Sequence, residues 1–305
     1  MHLRLATLQR SEQVIKIGIF DSGYGGLTIL ESIRRVLPKY DYLYLGDNAR
    51  APYGTHSFDV IYQYTLQAVR YLLEQDCTLV ILACNTASAK ALRTIQQRDL
   101  PEINAQMASG KKVNVLGVIR PTVEAVPSIT KTGHVGILAT PATVSSESYV
   151  LELEKITPEI EVVQQACPMW VPLIEAGEHD KPGADYFVDL YLREILSKDP
   201  QIDTLVLGCT HYPLLKGKIE KTASAVRCET ASAVRPASPV RIIAQGSLVA
   251  ESLADYLLRH PEYRNQLSQG GTCRYLTTEN ADRFSQSAST FLSAPINAEQ
   301  IRFTI

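Results

Sequence analysis

A doubly wound α/β fold, with two parallel sheets in pseudo-symmetric arrangement and the site between them, follows from three features of the sequence. Short runs rich in Val, Ile and Leu recur along the chain, each followed at once by small and polar residues. Helix-length segments of mixed polarity separate these runs. Two of the runs echo one another: TLVILACNT (Thr78–Thr86) and DTLVLGCTH (Asp203–His211) share a strand, a small residue, a cysteine and then polar side chains. Apolar runs without alternation, bounded by turn residues, are strands buried on both faces of a parallel sheet. Their regular exchange with helices over this length is the α/β pattern.

In chain order the strands are Ile15–Phe20, Tyr42–Leu45, Leu79–Leu82, Val113–Val118, Val135–Leu138 and Leu205–Leu207. Another apolar stretch, Ile160–Val163, leads into Gln164-Gln165-Ala166 and Cys167. The helical patterns are Leu27–Leu37, Ser57–Gln75, Ala87–Arg98, Ser145–Ile156 and Ala184–Leu196. Thr222–Pro239, rich in Ala, Ser and Pro, reads as a surface connection, and the tail after His260 is polar with no chemical signal. The expected division is a first unit of residues 13–114 plus 229–305 and a second of 115–228, because single cores stop growing near ~250–300 residues.

Composition narrows the function. The 305 residues are 45% hydrophobic and 20% charged with a net charge of −2, so no basic field favours nucleic acid or an anionic membrane. No apolar run reaches the roughly 20 residues that span a bilayer. The opening MHLRLATLQRSEQ lacks the apolar core and cleavage site of a signal peptide, so a cytosolic chain is expected. The six cysteines, at 77, 84, 167, 209, 228 and 273, form no C-x-x-C pair, and no metal site is expected. Free cysteines are usually small buried hydrophobes, and the reading holds for most of these. Ligands of open parallel sheets, however, bind beyond the carboxyl ends of the strands. Cys84 and Cys209 fall at such ends; Cys77, Cys228 and Cys273 do not, and Cys167 is ambiguous.

The polar segments at strand ends carry the chemistry. IGIFDSGYGG (Ile17–Gly26) lacks the glycine spacing of a dinucleotide fingerprint and the lysine of a P-loop. Its helix start offers N–H groups to a carboxylate, while Asp21 suits a group that becomes cationic or a thiol to be deprotonated, or else serves as the helix N-cap. LGDNARAPYG (Leu45–Gly54) is either a surface turn or a clamp in which the Tyr53 hydroxyl or Gly54 amide holds a carboxylate. Ala83-Cys84-Asn85-Thr86 puts a thiol at a helix start, which is expected to lower its pKa toward neutral. Gly208-Cys209-Thr210-His211 adds a histidine two residues on, either to promote the thiolate or to hold a carboxylate.

A cysteine hydrolase uses one cysteine with a histidine oriented by a third group, which leaves the second cysteine segment without a role. Two opposed thiols use both: one takes a proton from a carbon stereocentre and the other returns a proton to the opposite face. That is racemisation or epimerisation.

Taken together, GIFDSGYGGLT, GDNARAPYG, ACNTASA, HVGILATPATVSS, VPLIEAG and LGCTHYPLL, in this order, resemble the glutamate racemases of bacterial cell-wall synthesis, over roughly Ile15 to Leu215. The resemblance implies two facing α/β domains, no pyridoxal phosphate or metal, glutamate as the small-molecule substrate, and a homodimer. It implies that Cys84 acts on D-glutamate and Cys209 on L-glutamate, assisted by Asp21 and His211 respectively. Ser22, Tyr53, Gly54, Asn85, Thr86, Thr143 and Thr210 would bind the amino and carboxylate groups, and Glu175 matches a carboxylate near the second half of the site. The chain departs from the family after Leu215. Where members commonly carry an acidic, serine-containing segment it reads RIIAQGSLVAESL (Arg241–Leu253), and its tail is longer. The alternatives are an aspartate racemase with a shorter pocket, a non-catalytic binder that keeps the fold, and a cysteine hydrolase.

Overall fold

The computed structural model describes residues 14–107, 112–230, 239–292 and 294–303. The opening 13 residues, and with them the reading that they form no signal peptide, lie outside the described residues, as does the 231–238 part of the expected surface connection. Among the described residues no helix is long and apolar enough to cross a membrane.

Among the described residues all strand pairings are parallel, in two sheets. β1 (Lys16–Asp21), β2 (Tyr42–Gly46), β3 (Cys77–Leu82) and β4 (Asn114–Gly117) lie in the order β2-β1-β3-β4. The second sheet holds β5 (His134–Ala139), β6 (Glu161–Ala166), β7 (Thr204–Gly208) and β8 (Arg241–Ile243) in the order β6-β5-β7-β8. The two orders are the same, so the sequence echo between β3 and β7 is the trace of two equivalent positions. Every residue of β2, β3 and β7 is buried, as expected of strands covered by helices on both faces.

The helices are α1 (Gly26–Val36), α2 (Phe58–Glu74), α3 (Asn85–Lys90), α4 (Leu92–Thr94), α5 (Leu100–Gln106), α6 (Ile119–Ile129), α7 (Pro141–Ser145), α8 (Ser148–Ile156), α9 (Trp170–Glu175), α10 (Pro182–Lys198), α11 (Lys216–Thr230), α12 (Gly246–Arg259), α13 (Pro261–Arg264) and α14 (Ala281–Leu292). Two predicted helices are broken. Ala87–Arg98 divides into α3, α4 and a π-helical turn over Ile95–Asp99, which buries Asp99 as acceptor of the Tyr62 hydroxyl at 2.8 Å. Ser145–Ile156 is interrupted at Glu147, whose φ of 53° is left-handed. Thr222–Thr230, expected in a connection, continues α11.

Sheet membership also differs from the expected division. β4 pairs with β3 through Gly117, beyond residue 114, and β8 pairs with β7, beyond residue 228. The returning segment therefore begins after Ile243. A strand of three residues following an Ala/Ser/Pro-rich stretch carries too little periodicity to be read from sequence. The polar tail likewise supplies β9 (Cys273–Thr277) and β10 (Ala298–Gln300), which extend the first sheet beyond β2. One apolar cluster runs from Ile17 and Leu79 through Leu138 and Leu207 to Val249, so the two sheets share a core.

Candidate active site

In a 2-1-3-4 sheet the strand order reverses between the first and third strands, and ligands bind outside the carboxyl ends there. Both sheets bring that point to one place. Ser22 after β1, Cys84 after β3, Thr140 after β5 and Cys209 after β7 line a common cavity of about 80 Å³. The Ala51–Thr55 loop, Pro168, Val171 and Glu175 close it.

Cys84 is the N-cap of α3, its sulfur accepting the Ala87 N–H at 3.4 Å and lying 3.3 Å from Ser22 Oγ. The expected fall in its pKa does not occur. Burial, followed by the Asp21 carboxylate, pushes the thiol up to about 12 against the opposing pull of Ser22 and Ala87. Asp21 is fully buried behind the cavity wall. It is not the N-cap of α1, a position taken by Gly25; its carboxylate accepts the Gly23 N–H at 2.9 Å and that of Gly26. The anion seat expected at the start of α1 is thus filled by Asp21 itself. Burial raises the Asp21 pKa despite the His211 charge and these hydrogen bonds, and Oδ1 has no protein partner.

Cys209 sits in the opposite electrostatic setting. Its sulfur is 3.8 Å from His211 Nδ1, and His211 Nε2 is 3.0 Å from Glu175 Oε1. Burial alone would lower the imidazole pKa; the Cys209 and Glu175 partners outweigh it and push His211 up to about 10. A cation therefore stands beside one thiol and a carboxylate beside the other. The close fit of α1 makes this possible: a Cβ on Gly25 would lie 2.3 Å from Thr210 Oγ1 and 2.5 Å from His211 Nδ1.

The expected binding residues divide into those that face the cavity and those that support them. Ser22, Tyr53, Gly54, Asn85, Thr86, Thr210, His211 and Glu175 line it. Thr143 does not; it lies behind Thr140 and Thr86, whose hydroxyls are 3.0 and 3.4 Å away. The Tyr53 hydroxyl, expected to hold a carboxylate, donates instead to Asp47, which also accepts Arg50 Nε at 2.7 Å. Asn85 is bonded through both amide atoms, to Gln245 and Tyr149 at 2.7 Å each. Gly54 approaches Thr140 so closely that a Cβ would lie 3.1 Å from its Cβ.

Sequence reasoning missed Thr140, which joins Thr86 at 3.0 Å across the cleft, although its place at the end of β5 was a usable signal. Cys167, left ambiguous, lines the cavity with Pro168. Cys77 is a buried core residue and Cys228 is exposed.

The chain belongs to the Asp/Glu/Hydantoin racemase family, whose model matches residues 24–245. It is an amino-acid racemase by that membership. A glutamate racemase of Ruegeria sp. (strain TM1040) is 41% identical over 293 residues, covering 93% of this chain and 98% of the relative. The glutamate racemase of Francisella tularensis, solved in complex with D-glutamate, superposes with a TM-score of 0.78 at 31% identity, over 95% of this chain and 98% of that one. A glutamate racemase isoform of Bacillus anthracis gives a TM-score of 0.77 at 28% identity, with 95% and 98% coverage.

Proposed function

We propose that the chain interconverts L- and D-glutamate by two-base proton transfer between Cys209 and Cys84, without pyridoxal phosphate or metal. The observation that carries this reading is the pairing of two buried cysteines, at equivalent strand ends of two equivalent sheets, on the wall of one cavity. Two-base transfer needs one thiol and one thiolate at a time. With its pKa pushed up to about 12, Cys84 rests as the thiol, and Cys209, beside the His211 cation, is the acceptor.

For L-glutamate, the Cys209 thiolate takes the α-proton and the C–H electron pair passes into the carboxylate. The Cys84 thiol then gives its proton to the opposite face and becomes the thiolate. The reverse reaction starts from that state. An α-proton beside a carboxylate is a very weak acid, so the charge that develops must be held by preorganised donors in a site closed to water. Thr86, Thr210 and the Asn85 amide supply side-chain donors at the cavity wall. Glu175 orients His211 through the 3.0 Å contact, and Asp21 lies within the field of Cys84.

The reading includes supply of D-glutamate for peptidoglycan in the cytoplasm and assembly as a homodimer, the latter checked by light scattering. Its test is circular dichroism of purified protein with L-glutamate in deuterated water, with no cofactor added. Decay of ellipticity to zero with deuterium entering Cα, stopped by either Cys84→Ser or Cys209→Ser, supports two-thiol transfer. Activity surviving the loss of one cysteine overturns it. An inert response to glutamate alongside turnover of L-aspartate moves the substrate to the shorter acid.

A further inference from the structure

Asn85 follows Cys84 directly and lines the cavity, yet its amide is held from outside the cavity. Nδ2 donates to Gln245 Oε1 at 2.7 Å and Oδ1 accepts the Tyr149 hydroxyl at 2.7 Å. Gln245 Nε2 in turn donates its two protons to the Tyr149 hydroxyl and to Thr122 Oγ1, each at 2.8 Å, and lies 3.3 Å from the Val118 carbonyl. All four side chains are buried. Buried polar groups are costly to leave unpaired, so a closed ring of this kind has a single low-energy pattern of donors and acceptors.

The pattern can be read from the backbone outward. A carbonyl only accepts, so Val118 O requires the nitrogen end of Gln245. Thr122 already donates to Val118 O at 2.9 Å and therefore presents a lone pair to the same nitrogen. Gln245 Oε1 is then turned to Asn85, which has to answer with Nδ2. Tyr149, accepting from Gln245, has one proton to give and gives it to Asn85 Oδ1. A flipped Asn85 would set oxygen against oxygen and nitrogen against the Gln245-held hydroxyl. One amide proton of Asn85 is left uncommitted. Val118 follows β4 on the chain's outward passage between the sheets and Gln245 follows β8 on its return, so the ring ties both passages to the residue next to Cys84.

We propose that Gln245, together with Tyr149, is a positioning residue that locks Asn85 as a hydrogen-bond donor toward a carboxylate of the bound amino acid. The proposal rests on the reading of this cavity as the glutamate site. It explains why an amide stands at 245: a carboxylate of the same size cannot donate to Thr122 or Tyr149. Tyr149 would turn its proton to that carboxylate and leave Asn85 Oδ1 without a donor.

The test is a double-mutant cycle on racemisation, with wild type, Gln245→Glu, Tyr149→Phe, Asn85→Ala and each double variant, all checked for folding by thermal melting. Loss of one donor to a charged group is expected to raise KM for glutamate by about tenfold or more in Q245E and Y149F, with kcat within about threefold. In the N85A background neither change has a further effect. Effects on KM that persist without Asn85, or an unchanged KM in both variants, overturn the proposal. Y149F keeps the ring's shape and decides the matter where Q245E does not fold. The same cycle read by calorimetric binding of D-glutamate separates the two readings. Binding without turnover, with the cycle intact, leaves the positioning role standing and the racemase reading fallen; absence of both binding and turnover ends both.

Discussion

Cys84 and Cys209 occupy matching positions, but their neighbours differ: Asp21 beside the first, His211 and Glu175 beside the second. That difference makes pH an informative variable. The His211 pKa is about 10 in the fold against 6.5 for a free imidazole. A base whose folded pKa is raised contributes stability that is whole below 6.5 and is lost as pH rises through about 10. Glu175→Gln removes one of the partners responsible, so the variant is expected to lose less thermal stability than wild type between pH 6.5 and 10. Melting curves across that window check it, and parallel losses would remove Glu175 from the account. Comparison of the two proteins cancels the Cys84 contribution, which is common to both. The place of both cysteines and of His211 just beyond strand ends, on the cavity wall, was legible in the sequence, because strand ends are marked by local pattern. The direction of the Cys84 shift was not, because depth of burial and the nearness of Asp21 belong to the folded state.

At the scale of elements, two segments hold the site in shape. The start of α1 is pressed against the 209–211 turn, with Thr28 Oγ1 donating to the Thr210 carbonyl at 3.1 Å. Gly25→Ala would place a methyl group inside Thr210 and His211. Overpacking of this kind costs about 1–3 kcal/mol, and because His211 is the group displaced, the loss of kcat is expected to exceed what the fall in melting temperature alone would suggest. Steady-state kinetics on the folded variant measures it. The loop after β2 is held from behind: Arg50 lies between the rings of Tyr64 and Phe303, 4.0 and 4.5 Å from their centres, while bonding Asp47 and Gln67. Asp47 accepts the Tyr53 hydroxyl, so the order reaches the cavity wall. Arg50→Lys keeps the charge but loses the planar fork and its stacking, and a destabilisation of about 1–2 kcal/mol with a raised KM is expected. An unchanged KM would show that the loop holds its shape without the sandwich.

For the molecule as a whole, a cavity walled by both sheets couples ligand binding to the integrity of each. At 100 times its Kd, a ligand that binds only the folded state adds about 2.7 kcal/mol, which for a chain of this size is a rise of about 4 °C in Tm. D-glutamate is expected to produce that shift in a single transition, since one apolar cluster joins the sheets. Two resolved transitions in calorimetry, only one of them moved by ligand, would contradict a shared core.

The parallel α/β class, the echo between the two sheets and the polar segments at strand ends were legible in the sequence, because buried strands, turn residues and the thiols beyond them are local properties. How those segments act on one another emerges from the packed fold. It set Asp21 behind Cys84, turned the Tyr53 hydroxyl to Asp47, hid Thr143 behind Thr140, and drew Gln245 from the RIIAQGSL segment onto Asn85. It also gave the polar tail a place as two further strands of the first sheet. The pairings of Asp21 with Cys84 and of Gln245 with Asn85 join residues far apart in the chain. Burial and hydrogen-bond partnership across such distances are created by the packing of the two sheets, and no local pattern encodes them.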